Sequence, residues 1–83
     1  VTYAFRFTGK ALSKLRGFPG DALSELARTM GRICEDPYDV MHSEPAGKDP
    51  AKRWGSFGEA GFMELTVDDT ALTVTVDDLV WAG

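Results

Sequence analysis

Lys52 and Arg53 are the residues whose chemistry is easiest to name in this chain. Two neighbouring cations can hold a phosphate by neutralising its charge. Lys48 stands shortly before them and Trp54 directly after, adding a third positive charge and an aromatic surface on which a base can stack. Lys48, Lys52 and Arg53 are therefore a candidate phosphate-binding edge, and with Trp54 they make the candidate RNA-binding set. The competing reading makes the bases solubilising charges that guard an edge strand, with Trp54 and Phe57 in the core or against a partner.

Other reactive residues give weaker patterns. His42 and Glu44 could form an acid/base pair, since histidine titrates near neutrality, but their Pro- and Gly-punctuated surroundings read as a solvated loop. Cys34 falls on an apolar helical stripe and reads as a small hydrophobe, not a nucleophile. One histidine and one cysteine do not make a zinc site. Asp68-Asp69 and Asp77-Asp78 lack the regular ligand loop of a calcium site. No metal and no cofactor is expected. Trp81 reads as packing over the sheet edge or as a partner contact.

The elements that must position these residues follow from periodicity. Tyr3, Phe5 and Phe7 alternate with Ala4, Arg6 and Thr8, which predicts a first strand with three aromatics on its buried face. Thr8 can cap a short helix in which Ala11, Leu12 and Leu15 share a face, ended by Gly17 and Pro19. Leu23, Leu26, Ala27, Met30, Ile33 and Cys34 draw one stripe along a second helix, and Pro37 ends it at Asp36. Residues 38–51 read as a surface loop. Lys52 to Phe57 then forms a strand, Gly58 and Gly61 bend the chain, and Met63, Leu65 and Val67 alternate in the next one. A tight turn at Asp68-Asp69-Thr70 leads to Leu72, Val74 and Val76. The order β-α-α-β-β-β predicts an α+β fold: an antiparallel four-stranded sheet with a helical hairpin packed on one face.

Composition bounds the rest. The 83 residues are read as a single domain, 1–83, because a shorter division could not offset the entropy of ordering two cores. With 43% hydrophobic and 27% charged residues the chain is expected to be a soluble globular protein. A lone cysteine and the lack of any apolar run near the roughly 18 residues of a membrane span point to the reducing cytoplasm, with no membrane partner. All nine Lys and Arg lie in residues 1–53 with seven of the acids, a net +2; residues 54–83 hold six acids and no base, a net −6. That last third should repel nucleic acid.

The whole order resembles the RelE/ParE toxin superfamily. An aromatic strand ending Phe7-Thr8, then Ala11 and Leu15, is similar to its opening; a long helix closing at Asp36-Pro37 is similar to its middle. A glycine turn at Gly58 or Gly61, a Val67-Asp68-Asp69 hairpin and a Val-rich last strand are similar to its end. The resemblance implies a toxin of a toxin-antitoxin pair with a cognate antitoxin as partner. It also implies either a ribosome-dependent messenger-RNA interferase, a ribonuclease acting on mRNA in the ribosome, or a ParE-like inhibitor of DNA gyrase. In the RNA-cutting branch Lys52 and Arg53 match the start of the family's basic strand residues, and the resemblance makes them the candidate catalytic pair, holding the scissile phosphate and balancing transition-state charge. The next expected arginine is replaced by Glu59, Ala60, Phe62 and Met63, and Trp81-Ala82-Gly83 offer neither the further arginine nor the catalytic Tyr or His. The expectation is thus a toxin with an incomplete active site or one that acts through binding. The alternative outside the family is a small α+β interaction module, possible as a homodimer.

Overall fold

Alternation and capping make the elements, and the computed structural model describes residues 2–82 of the chain. A first strand, β1 (Ala4–Phe7), leads into helix α1 (Gly9–Lys14), a 3₁₀ turn (Leu15–Gly17) and helix α2 (Gly20–Glu35). Then follow β2 (Glu44–Pro45), β3 (Lys52–Phe57), β4 (Gly61–Asp68) and β5 (Thr73–Trp81). Thr8 caps α1, its Oγ1 accepting from the Ala11 N–H at 3.2 Å while donating to the Asp77 carbonyl at 2.9 Å. One side chain thereby starts a helix and ties it to the far end of the chain. Pro37 cannot continue α2, and Asp36 closes it in an extended conformation.

Five strands form the sheet in the order β1-β5-β4-β3-β2, where the sequence pattern gives four. The additional strand, β2, pairs Glu44 and Pro45 with Trp54 and Arg53; two residues are too short to carry a period. The sheet is also mixed: β1 runs parallel to β5, and the other pairs are antiparallel. Alternation reports which face a residue takes and is silent on strand direction. The two helices supply the long crossover that a parallel pair needs, and two hairpin reversals bring β5 back alongside β1.

One face of the sheet is covered by the helices, and both helices touch β1. Leu26, Met30, Ile33 and Cys34 of α2 are buried in one cluster with Met63, Leu65, Val67, Val74, Val76 and Leu79, and Ala22 is buried as well. The buried line of α2 runs Ala22–Leu26–Met30–Ile33, so Leu23 (40% exposed) and Ala27 lie on its flank, contrary to the six-residue stripe expected from spacing. Leu12 likewise turns outward, because the short α1 buries only Ala11 fully. Phe5 is also exposed where burial was expected. It sits on an edge strand with one neighbour, and its ring leans edge-to-face on Phe7 at 5.7 Å.

A bulge at Asp77 corrects the register of β5. Leu65 pairs with Val76 and Glu64 with Asp78, leaving Asp77 as the extra residue. The alternation Val74, Val76 would otherwise carry Leu79 outward; the bulge returns it to the core. Asp78 then meets α1, with Lys14 Nζ at 2.6 Å and Lys10 Nζ at 3.2 Å. The Lys14 ammonium holds the Asp78 carboxyl down at about 2, against an upward push from desolvation, with Lys10 and the Leu79 N–H adding to the lowering. A carboxyl depressed below its unfolded value near 3.9 stabilises the fold fully above about pH 4, and the contribution disappears as pH falls through about 2. Urea titrations between pH 2 and pH 6 should therefore show a smaller acid loss of stability in Asp78→Asn than in the parent.

Gly61 opens β4 opposite Phe57. A Cβ there would lie 2.4 Å from the Phe57 carbonyl oxygen and 2.5 Å from its ring. Since backbone cannot retreat as a side-chain tip can, Gly61→Ala should cost about 1–3 kcal/mol, read as a lower urea midpoint with an unchanged slope.

Candidate functional site

The uncovered face of the sheet collects the exposed polar and aromatic side chains. Strand pairing lines them up in rows: Arg6, Thr75, Thr66 and Lys52 form one, and Glu44, Trp54, Glu64 and Asp78 the next. Ser56, Phe62 and Val80 form the third. Successive strand residues point to opposite faces, so every second position of β3 and β4 reaches this surface.

Lys52 and Trp54 are brought together here. Lys52 Nζ donates to Thr66 Oγ1 at 2.7 Å and lies 3.8 Å from Asp77 Oδ2, which accepts from the same Thr66 hydroxyl. Trp54 stacks on Phe62 with ring centroids 4.8 Å apart. A cleft of about 340 Å³ opens between them, bordered by Lys52, Arg53, Trp54, Phe62, Glu64 and Asp77 together with Ala46 and Leu65. Two unit charges about 4 Å apart at a near-surface dielectric interact by about 4 kcal/mol. A phosphate drawn to Lys52 would therefore have to compete with Asp77 for the ammonium.

Arg53 goes to the other face with Gly55 and Phe57. It is only 5% exposed. Its Nε donates to Ser43 Oγ at 2.7 Å, and its Nη2 donates to the Ser43 carbonyl at 2.7 Å and the Tyr38 carbonyl at 3.5 Å. The guanidinium also lies 5.5 Å from the centre of the Tyr38 ring. Ser43 Oγ passes the network on to the Pro37 carbonyl at 2.7 Å. The side chain thus pins the loop that follows α2, and its N–H fork is turned away from Lys52. Lys48 is exposed on the loop before β3, outside the cleft.

Beside the same loop, Asp69 accepts from the Tyr3 hydroxyl at 2.7 Å and from the Tyr38 hydroxyl at 2.9 Å. The hydrogen bond to Asp69 pushes the Tyr3 phenol up to about 12, and burial, then Asp69, pushes Tyr38 up. Both phenols stay protonated at neutral pH, which suits a clamp and not a base. His42 and Glu44 border a second cleft of about 180 Å³ on the other side of Trp54. The His42 Nδ1 is buried without a hydrogen-bond partner. Cys34 is buried, and burial pushes its thiol up. Among the described residues no group of three His, Cys, Asp or Glu could hold a metal, and no helix is long and apolar enough to cross a membrane.

The architecture is shared with solved structures. A chain of the RelBE2 toxin-antitoxin complex from Mycobacterium tuberculosis superimposes with a TM-score of 0.82 at 22% identity, over 98% of this chain and 99% of that one. A double arginine-to-alanine mutant of E. coli RelE in the free state gives 0.83 at 18% identity, over 99% and 85%. The chain has the RelE fold. The intact E. coli RelBE toxin-antitoxin complex agrees, with a TM-score of 0.82 at 17% identity over 98% of both chains. No protein-family model and no curated protein matches the sequence. A RelE fold survives such divergence because it needs the burial pattern of the helices and strands, while the uncovered face is free to change.

On this RelE scaffold Phe62, Glu64, Thr66 and Asp77 join Lys52 and Trp54, and none of the four was picked out from sequence as a site residue. The alternation of β4, with Met63, Leu65 and Val67 inward, already places the first three on the outer face. Asp77 reaches the site through the bulge, for which β5 carries no glycine or other marker.

Proposed function

We propose that this chain is the toxin-fold member of a toxin-antitoxin pair and that it acts by binding a protein partner. The observation that carries the reading is the pairing of the cleft's exposed cation: Lys52 lies 3.8 Å from Asp77 and Glu64 borders the same cleft, while the Arg53 side chain is buried on the other face and Arg6, the other cation of the row, lies three strands away on β1. Such a surface gives weak purchase to a phosphodiester, whose binding depends on clustered cations. The RelE fold, solved in other chains within toxin-antitoxin complexes, supports a cognate antitoxin as a second protein partner, one that neutralises the chain. Arg53 belongs to this reading as a structural strut.

A second reading keeps the RNA-cutting branch. Lys52 beside the stacked Trp54 and Phe62 could place a base on the rings and its phosphate near the ammonium, with the ribosome supplying the messenger. Here Lys52 would offset the charge of the attacked phosphate. Induction of the chain in growing bacteria, followed by mapping of messenger 5′ ends, separates the two. Partner binding gives arrest without codon-linked cuts, and Lys52→Ala still arrests growth. Cuts that disappear in Lys52→Ala would establish the second reading instead. Arrest without cuts then directs a supercoiling assay to gyrase, the target in the ParE-like branch.

A further inference from the structure

Trp54 stands between two carboxylates that have no ion-pair partner among the described residues. Glu44 on β2 faces it from one side and Glu64 on β4 from the other. Neither makes a salt bridge or side-chain hydrogen bond among the described residues, whereas Asp78 in the same row is taken by Lys10 and Lys14 and Asp77 is shared by Thr66 and Lys52. Neighbouring strands are about 4.8 Å apart, so both carboxylates are one strand away from the indole. Trp54 borders the cleft that holds Glu64 and also the adjoining one that holds Glu44. Apolar surface continues from this point in two directions: Phe62 (40% exposed) and Val80 (49%) on one side, Val40 (69%) and Met41 (84%) on the other.

We infer that this face is the seat of a basic, partly apolar peptide segment of a protein partner. An arginine or lysine side chain of the segment lies on Trp54 between Glu44 and Glu64, and apolar side chains cover Phe62, Val80 and Met41. Charge complementarity selects this occupant. Guanidinium groups stack on indole rings and donate in their own plane to carboxylates, which is the arrangement the row Glu44, Trp54, Glu64 offers. A nucleic acid would stack equally well but would bring phosphates to the same carboxylates. A neutral peptide would desolvate two charges with nothing in return. The inference rests on the partner-binding reading above and names the chemistry of the partner.

The test uses the 83-residue chain, ¹⁵N-labelled, and three probes: a short peptide of alternating arginine and leucine, its glutamate and leucine counterpart, and a single-stranded uridine oligonucleotide. The arginine peptide should shift the Trp54 indole resonance and the Glu44, Glu64 and Phe62 amides. Its affinity should fall about tenfold or more when Glu44→Gln and Glu64→Gln are combined, and should weaken with salt. The other two probes should leave Trp54 unmoved. The inference is overturned if the oligonucleotide shifts Trp54 more tightly than the arginine peptide does. It also fails if the peptide leaves Trp54 unmoved, or if the double variant binds it unchanged. Because only the isolated chain and defined probes are used, these outcomes stand apart from any growth phenotype and so from the toxin reading itself.

Discussion

Phe57→Ala should leave the chain at the edge of unfolding at room temperature. Phe57 is 1% exposed and lies between Phe18, with centroids 6.2 Å apart, and Trp81, at 5.8 Å, both nearly parallel to it. These three rings come from the link before α2, the end of β3 and the end of β5, so one side chain joins three separate parts of the chain. Truncating a buried phenylalanine costs about 3–5 kcal/mol. A domain of this size has about 4–12 kcal/mol in all, so much of the stability is removed at once. Loss of the near-ultraviolet circular dichroism of the aromatic cluster and a collapse of the urea midpoint are the expected readouts. Phe57→Leu, which keeps most of the volume, should cost less than half as much. Similar losses for the two variants would mean that the stack is not the joint described here.

Arg53→Ala should act on stability in the same way, by about 2–4 kcal/mol. The deletion strips a donor fork from the Ser43 carbonyl and hydroxyl and from the Tyr38 carbonyl, and a buried acceptor left without a donor carries its full desolvation cost. For a chain of this length that corresponds to a fall in Tm of roughly 10–30 °C. Lys52→Ala changes a half-exposed side chain and should move Tm by only a few degrees. The contrast between adjacent residues separates a strut from a ligand contact. If Arg53 met a phosphate, its alanine variant would lose RNA affinity at nearly constant Tm. Any loss of growth arrest in Arg53→Ala has to be judged against this loss of folded protein.

That contrast also marks where the sequence could be read and where it could not. The strand Lys52–Phe57 was legible to the residue, as were the Thr8 cap, the stop at Pro37 and the inward set Met63, Leu65, Val67. Each depends on local chemistry: a hydroxyl, a missing N–H, a period of two. Lys52 and Arg53 look like one basic site in sequence because they are adjacent, yet adjacency in a strand guarantees opposite faces. The run Lys-Arg-Trp-Gly-Ser-Phe has no polar-apolar alternation to reveal this, since a buried arginine and a partly exposed tryptophan invert the usual pattern. The parallel pairing of β1 with β5, the two-residue β2 and the bulge at Asp77 depend on contacts across long stretches of chain. Hydrophobic spacing does not encode them. The exposure of Phe5 has the same origin: its alternation is regular, but an edge position cannot cover the ring.

The functional reading turns on whether the uncovered face of the sheet receives protein or messenger. Carboxylates at Glu44, Glu64 and Asp77 around a single lysine and a stacked aromatic pair favour protein. Co-expression with the product of any short reading frame adjacent to this chain's gene, followed by size-exclusion chromatography with light scattering, tests most directly the toxin-antitoxin pairing on which both readings rest. The account expects a stable complex of defined stoichiometry and relief of the growth arrest that the chain causes by itself. A chain that elutes as a free monomer beside that product, and that is harmless when expressed alone, would contradict it.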